Sequence, residues 1–305
     1  MAVIGVGQTA HRSRHDDKTY PELVQQAVVL ALEDAGLHPD QIDAVVFSMA
    51  QTTFMGVHDA DKWAVDHAWA RGKPFMRINS GGASGGSALH AAHDHVASGQ
   101  YGTVLVVGAD RITETPDAQF VLNLIWDPMY EQHVALNTVT MTALAAQRYM
   151  HKYGTTEQQY ARVVVRARRN AMNNPSAHLK GLIDVDAVLA SPRIAWPHKL
   201  FDICPRSAGA AAIVLSREDL ARERCARPAF INGVAGMSNT VFMGDRMGLQ
   251  ADTDFADFCG LPLAAAECYR QAGITHPMRE VQVAEIYDAF SSFHFPQLES
   301  LGFCA

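Results

Sequence analysis

Between Ser80 and Ala92 the chain reads SGGASGGSALHAA, four glycines and three serines directly ahead of a helix-forming run. Small residues at such a turn let backbone N–H groups, or a single hydroxyl, approach a ligand closely. A Walker-type phosphate loop needs Lys followed by Ser or Thr after its last glycine, and a dinucleotide fingerprint needs GxGxxG. The stretch offers neither. Gly82-Ala83-Ser84-Gly85-Gly86 does fit G-x-S-x-G, the nucleophile elbow of serine hydrolases, in a strand–turn–helix setting. On that reading Ser84 attacks, and Asp202 or Asp288 with His294 completes a triad. On a second reading Ala83, Ser84 and Ser87 are small so that the helix can pack closely against a duplicate of itself. Either way, a helix start aims unpaired N–H groups and a positive dipole end at whatever lies there, which suits an oxyanion such as a thioester enolate.

Other chemistry is thinner. His58, Asp59, Asp61, His67, His93 and His95 are metal-ligating types, but no third ligand stands at useful spacing. His93 and His95 splay apart on a helix, so no metal is expected. Five cysteines are irregularly spaced without a CxxC, the pattern of reduced thiols in a cytoplasmic protein. The 305 residues carry a net charge of −7, which argues against a nucleic-acid surface and requires any anionic ligand to find a local basic patch. RVVVRARR, Arg162–Arg169, is either that patch or a solvated helix face. No apolar stretch is long enough to span a membrane, and MAVIGVGQT reads as a first strand rather than a leader.

The elements that must position these residues alternate between short β-branched runs and helical periods, the signature of a layered α/β fold. Strands are expected at Val3–Val6, Ala44–Ser48, Phe75–Ile78, Thr103–Val107 and Ala210–Leu215. Helices are expected at Tyr20–Ala35, closed by Gly36, and from the glycine stretch to about Ser98. Between residues 112 and 205 a mostly helical insertion is marked by prolines. A charged helix over Arg217–Arg224 then leads to a return of the opening pattern: a strand at Pro228–Val234, a helix at Phe255–Ala272, a strand at Val281–Phe290. QAGITHP echoes the earlier EDAGLHP, which points to an internal duplication. The second half stops at Ala305 with no counterpart of 75–215, so a truncated second half is expected.

The loop together with EIYDAFSSFHFPQLESLGFC (Glu285–Cys304) resembles the thiolase superfamily, most nearly its sterol-carrier and lipid-transfer-protein branch. VIGVGQT, RYMHKYG (Arg148–Gly154), NNP (Asn173–Pro175) and AGAAAIVLS (Ala208–Ser216) support the likeness along the whole chain. It implies a duplicated five-layered α-β-α-β-α fold. Residues 1–225 would form the N-terminal half, with the insertion at about 112–205, and 226–305 the start of the C-terminal half.

Two departures carry the functional expectation. Degrading thiolases set a nucleophilic cysteine at the mouth of this helix, in a pattern like C-A-S/T-G, where this sequence has Gly82. Tyr287 stands where the family has the histidine of an H-D-A-F-type motif. Both changes are typical of the steroid side-chain aldolases of the branch, which cleave a β-hydroxyacyl-CoA by a retro-aldol reaction. The resemblance thus implies Tyr287 as acid/base, able to take the hydroxyl proton if its pKa near 10 is lowered. It implies Asp288 as its orienting neighbour and N–H groups of Gly82 and Ala83 for the enolate. Ser84, His133 and Met141 would line the substrate pocket, and Arg162, Arg166 and Arg169 would meet coenzyme A. No cofactor is expected beyond coenzyme A as part of the substrate. The likeness also implies a homodimer and a small OB-fold subunit of the DUF35 type. A serine hydrolase centred on Ser84 and a catalytically silent acyl-CoA-binding scaffold remain the alternatives.

Overall fold

The computed structural model describes residues 1–134, 136–240, 242–247 and 253–304, so the expected terminus Ala305 lies outside the described residues. In chain order it runs β1 (Ala2–Gln8), α1 (Tyr20–Ala35), β2 (Ala44–Ser48), β3 (Phe75–Ile78), α2 (Ser84–Ala97) and β4 (Thr103–Arg111). A helical stretch follows: α3 (Ala118–Asn123), α4 (Thr138–Tyr153), α5 (Glu157–Ala171), α6 (Val185–Ala190), then the hairpin β5 (Arg193–Ala195) and β6 (His198–Lys199). The remainder comprises β7 (Ala208–Ser216), α7 (Glu218–Arg224), β8 (Ala229–Phe230), α8 (Gly260–Ala272), α9 (Pro277–Glu280) and α10 (His294–Ser300). Two compact units result, one from Met1–Val121 with Arg206–Ile231, the other from Leu122–Pro205 with Asn232–Ala305.

The first unit is a six-stranded sheet in the order β3-β2-β4-β7-β1-β8. β3, β2 and β4 run parallel, while β7 joins β4 and β1 antiparallel. Alternation along β2 and β4 sends Val45, Phe47, Leu105 and Val107 to the face covered by α1, and Ala44, Val46, Val104 and Val106 to the face covered by α2. A Thr19–Glu22 capping box starts α1, and Gly36 closes it at φ 62°. A Cβ on Gly5 would stand 2.4 Å from Ala31 O, and one on Gly7 2.2 Å from Ala27 O, so β1 and α1 meet backbone to backbone.

The second unit is helical around a small polar and aromatic core. Buried Tyr160 meets Phe295, and Phe290 meets Phe293 and His198. Buried Lys199 sits between Glu157 (2.7 Å) and Asp202 (3.4 Å).

The repeat is visible where α8 ends, like α1, in a left-handed glycine, Gly273, followed by a proline-started turn. Three expected elements differ. The strand expected over Pro228–Val234 contracts to β8, because β1 offers it only Ala2 and Val3. The helix expected from Phe255 begins at Gly260, because Asp254 holds its own turn by accepting from Ala256 N–H at 2.9 Å. Residues 281–288 join no ladder, and of the expected strand only Phe290 forms a bridge, to Ile203. Among the described residues no neighbouring strand pairs with this run.

Candidate active site

The helix mouth lies in the first unit. β3 ends at Ile78, and the chain turns through Gly81, whose φ of 64° favours glycine. Asn79 Oδ1 accepts from Gly81 N–H at 3.0 Å, and a 3₁₀ turn over Gly81–Ala83 feeds α2. Ser84 is 6 % exposed. Its hydroxyl donates to Gly81 C=O at 2.7 Å and accepts from Ser80 N–H at 3.0 Å. A nucleophile must present its oxygen to substrate and to a base, whereas this hydroxyl closes its own turn. The elbow reading therefore finds no support in the geometry of Ser84.

Gly82 and Ala83, by contrast, are exposed. A Cβ built on Gly82 meets nothing within 4 Å, and the same holds for Gly85 and Gly86. Close packing against this unit thus does not explain the small residues. Ala83 N–H reaches Ser80 C=O at a long 3.4 Å, and Gly82 N–H lies in the first turn, where intrahelical acceptors are missing. With fourteen residues of α2 behind them, these groups form an electropositive, uncluttered mouth.

The other candidates belong to the second unit. Tyr287 is 70 % exposed, and its phenol is held above the ordinary value of 10.0, first by desolvation and then by nearby Cys204. That direction is opposite to the lowering a base would need, so the phenol is protonated at neutral pH. Asp288 accepts from buried His294, Nδ1 to Oδ2, at 2.6 Å. Arg166 Nη2 stands 2.5 Å from His294 Nε2. Two residues expected in different roles, Asp288 and Arg166, are thereby brought together at one imidazole. Asp202, the other aspartate considered for a triad, is buried instead against Lys199 and Ser291.

Arg162, Arg166 and Arg169 follow i, i+4, i+7 spacing on α5 and share an exposed face. Neighbouring Arg168 lies over Phe201 at 5.8 Å. Met141 is half-buried in the first turn of α4, which Asn137 caps by accepting from Val139 and Thr140 N–H. His133 is exposed on the preceding turn. Sequence reasoning missed Gln297, which donates to Tyr287 C=O at 2.8 Å. It lay inside the segment singled out, yet nothing in its spacing marked it.

Comparison with known proteins defines the class. Residues 1–185 match the family described as "Thiolase, N-terminal domain", and 244–305 that described as "Thiolase C-terminal domain-like". The chain belongs to the thiolase family, as its motifs led one to expect. It is 31% identical over 304 residues to "Acetyl-CoA acetyltransferase" of Methanothermobacter thermautotrophicus, covering 99% of this chain and 77% of that protein. It is equally, 31% over 324 residues, similar to "17-hydroxy-3-oxo-4-pregnene-20-carboxyl-CoA lyase" of Mycobacterium tuberculosis, covering 99% and 78%. Among solved structures, "Ltp2-ChsH2(DUF35) aldolase" superposes with a TM-score of 0.82 at 27% identity, covering 100% of this chain and 77% of that one. Carbon–carbon lyases thus stand among its relatives beside an acyltransferase, and the expected α/β thiolase fold is the fold found.

Proposed function

We propose that this chain is a thiolase-fold aldolase that cleaves a β-hydroxyacyl-CoA bearing a bulky, steroid-like side chain. The observation that carries the reading is Gly82 at the mouth of α2. Acyl transfer by the usual thiolase route needs a sulfur there, and glycine has no atom on which an acyl group could be carried. Identity alone does not choose between the acyltransferase and the lyase, since both relatives stand at 31%. The residue at this position supports the lyase.

Retro-aldol cleavage needs no covalent intermediate. A base takes the β-hydroxyl proton, the Cα–Cβ bond breaks, and its electron pair passes to the thioester enolate while the former carbinol carbon leaves as a ketone. The enolate then takes a proton at Cα, giving the shorter acyl-CoA. Gly82 and Ala83 N–H hold the enolate oxygen. Tyr287, a neutral phenol at pH 7, gives its proton to Cα and takes the β-hydroxyl proton in its place, so the enzyme ends each cycle as it began. Asp288 orients the tyrosine's segment. His133 and Met141 border the acyl group; Ser84, also expected there, is buried and instead shapes the turn that presents Gly82. The face of Arg162, Arg166 and Arg169 meets coenzyme A, the only cofactor-like group required. Residues 1–225, with their insertion at about 112–205, and 226–305 act as the two thiolase halves. The working assembly is a cytoplasmic homodimer with a small DUF35-type subunit; the aldolase structure, which names such a partner, supports the last of these alone. Among the described residues no helix is long and apolar enough to cross a membrane.

The test is turnover of 17-hydroxy-3-oxo-4-pregnene-20-carboxyl-CoA by the chain with its partner subunit, followed by mass spectrometry of ketone and shortened acyl-CoA. Tyr287→Phe should lower kcat by roughly 10²-fold or more. Unchanged turnover in that variant, or an acyl adduct on the protein during turnover, refutes the mechanism.

A further inference from the structure

Among the described residues, 281–288 join no ladder, and Tyr287 is tied through its own carbonyl, which Gln297 meets from α10. Proton transfer tolerates little misplacement, about 1 Å costing on the order of 10²-fold in rate. From Tyr287 to Ser292 every residue is tied separately. Gln297 Nε2 donates to Tyr287 C=O at 2.8 Å, and His294 Nδ1 to Asp288 Oδ2 at 2.6 Å. Cys204 N–H donates to Ala289 C=O at 2.9 Å, and Phe290 bridges to Ile203. Ser291 donates to Asp202 Oδ1 at 2.7 Å, while Ser292 Oγ stands 3.3 Å from His198 Nε2.

The two ties nearest the phenol come from α10. His294 and Gln297 are three apart and share one helix face. Arg166 Nη2 lies 2.5 Å from His294 Nε2 and 3.1 Å from Nδ1. The guanidinium thus lies against the same imidazole whose Nδ1 faces Asp288.

We propose that Gln297 is the positioning residue of Tyr287, backed by the chain Arg166–His294–Asp288, so that α10 aims the acid/base phenol. The proposal rests on the aldolase reading for its kinetic arm only. Gln297→Leu removes the donor at similar size; Gln297→Lys restores a donor on a longer stem. Each is made in the full chain with its partner subunit, with 3-fluorotyrosine at position 287 for a fluorine NMR readout. The leucine variant should lose about 10-fold in kcat with KM within about twofold of the parent, and the lysine variant should recover part of the loss. The fluorine line, narrow in the parent, should broaden or split with leucine and sharpen again with lysine. An unchanged line and kcat with leucine overturn the proposal, as does equal impairment of both variants, which marks a merely structural role. If the parent releases no ketone, the functional reading fails, and the fluorine line alone decides whether Gln297 sets Tyr287.

Discussion

Asp110 gives the sharpest quantitative test of the first unit. It lies near the end of β4, where Ala50 N–H, just beyond β2, donates to its Oδ1 at 2.8 Å. Burial, opposed by that single donor, pushes the carboxyl from 3.8 to about 7. In the unfolded chain the group ionises near 3.8, so below about pH 4 both states hold the proton and the residue costs nothing. As pH rises through the interval the folded state holds the extra proton, and stability falls until about pH 7, beyond which the cost is constant. At 1.36 kcal/mol per pH unit the full loss is ~4 kcal/mol. Asp110→Asn keeps an acceptor for Ala50 N–H and never ionises. Urea denaturation from pH 4 to 8 should therefore show the variant gaining up to ~4 kcal/mol over the parent as pH rises. A fixed offset from the added amide donors leaves that trend intact. A parent-to-variant gap that does not change with pH refutes the assignment.

Two further substitutions separate packing from chemistry. Gly5→Ala puts a Cβ 2.4 Å from Ala31 O and 2.6 Å from Ala35 Cβ, so α1 must lift from the sheet. Thermal and urea unfolding should register a loss of about 3 kcal/mol. Gly82→Cys meets nothing within 4 Å, so Tm should stay put while intact mass shows one more iodoacetamide alkylation than the parent. Retro-aldol kcat/KM should fall by about 10-fold or more as sulfur fills space meant for substrate; an unchanged value means the substrate does not pass over Gly82.

Much of the first unit is legible in the chain itself. Gly36 announces the end of α1, and the short apolar runs of β2 and β3 fall where expected, because stop and strand signals are local. The run Val281–Phe290 misleads for the complementary reason: its apolar pattern fits a strand, but pattern says nothing about whether a partner strand is there. The loop at Ser80–Ala92 was recognisable by composition, whereas the engagement of Ser84 with Gly81 and Ser80 depends on a turn geometry that several small residues could adopt. Asp288 and His294 were visible as a possible pair six residues apart. Arg166 joins them from 128 residues away, a meeting that only packing creates. The direction of the Tyr287 shift is likewise a property of its surroundings.

The glycines of this chain answer to different masters. Gly5 and Gly7 are demanded by a helix lying against a strand, and Gly81 by a left-handed turn. Gly82 is demanded by neither, since its backbone is ordinary and its flank is vacant. Cysteine and glycine codons differ by one base, so a point mutation at this spot exchanges the presence of a sulfur for its absence without asking the scaffold to move. On the proposed mechanism, one of the two departures that separate lyase from acyltransferase chemistry thus costs the architecture nothing, because folding does not govern the side chain at position 82.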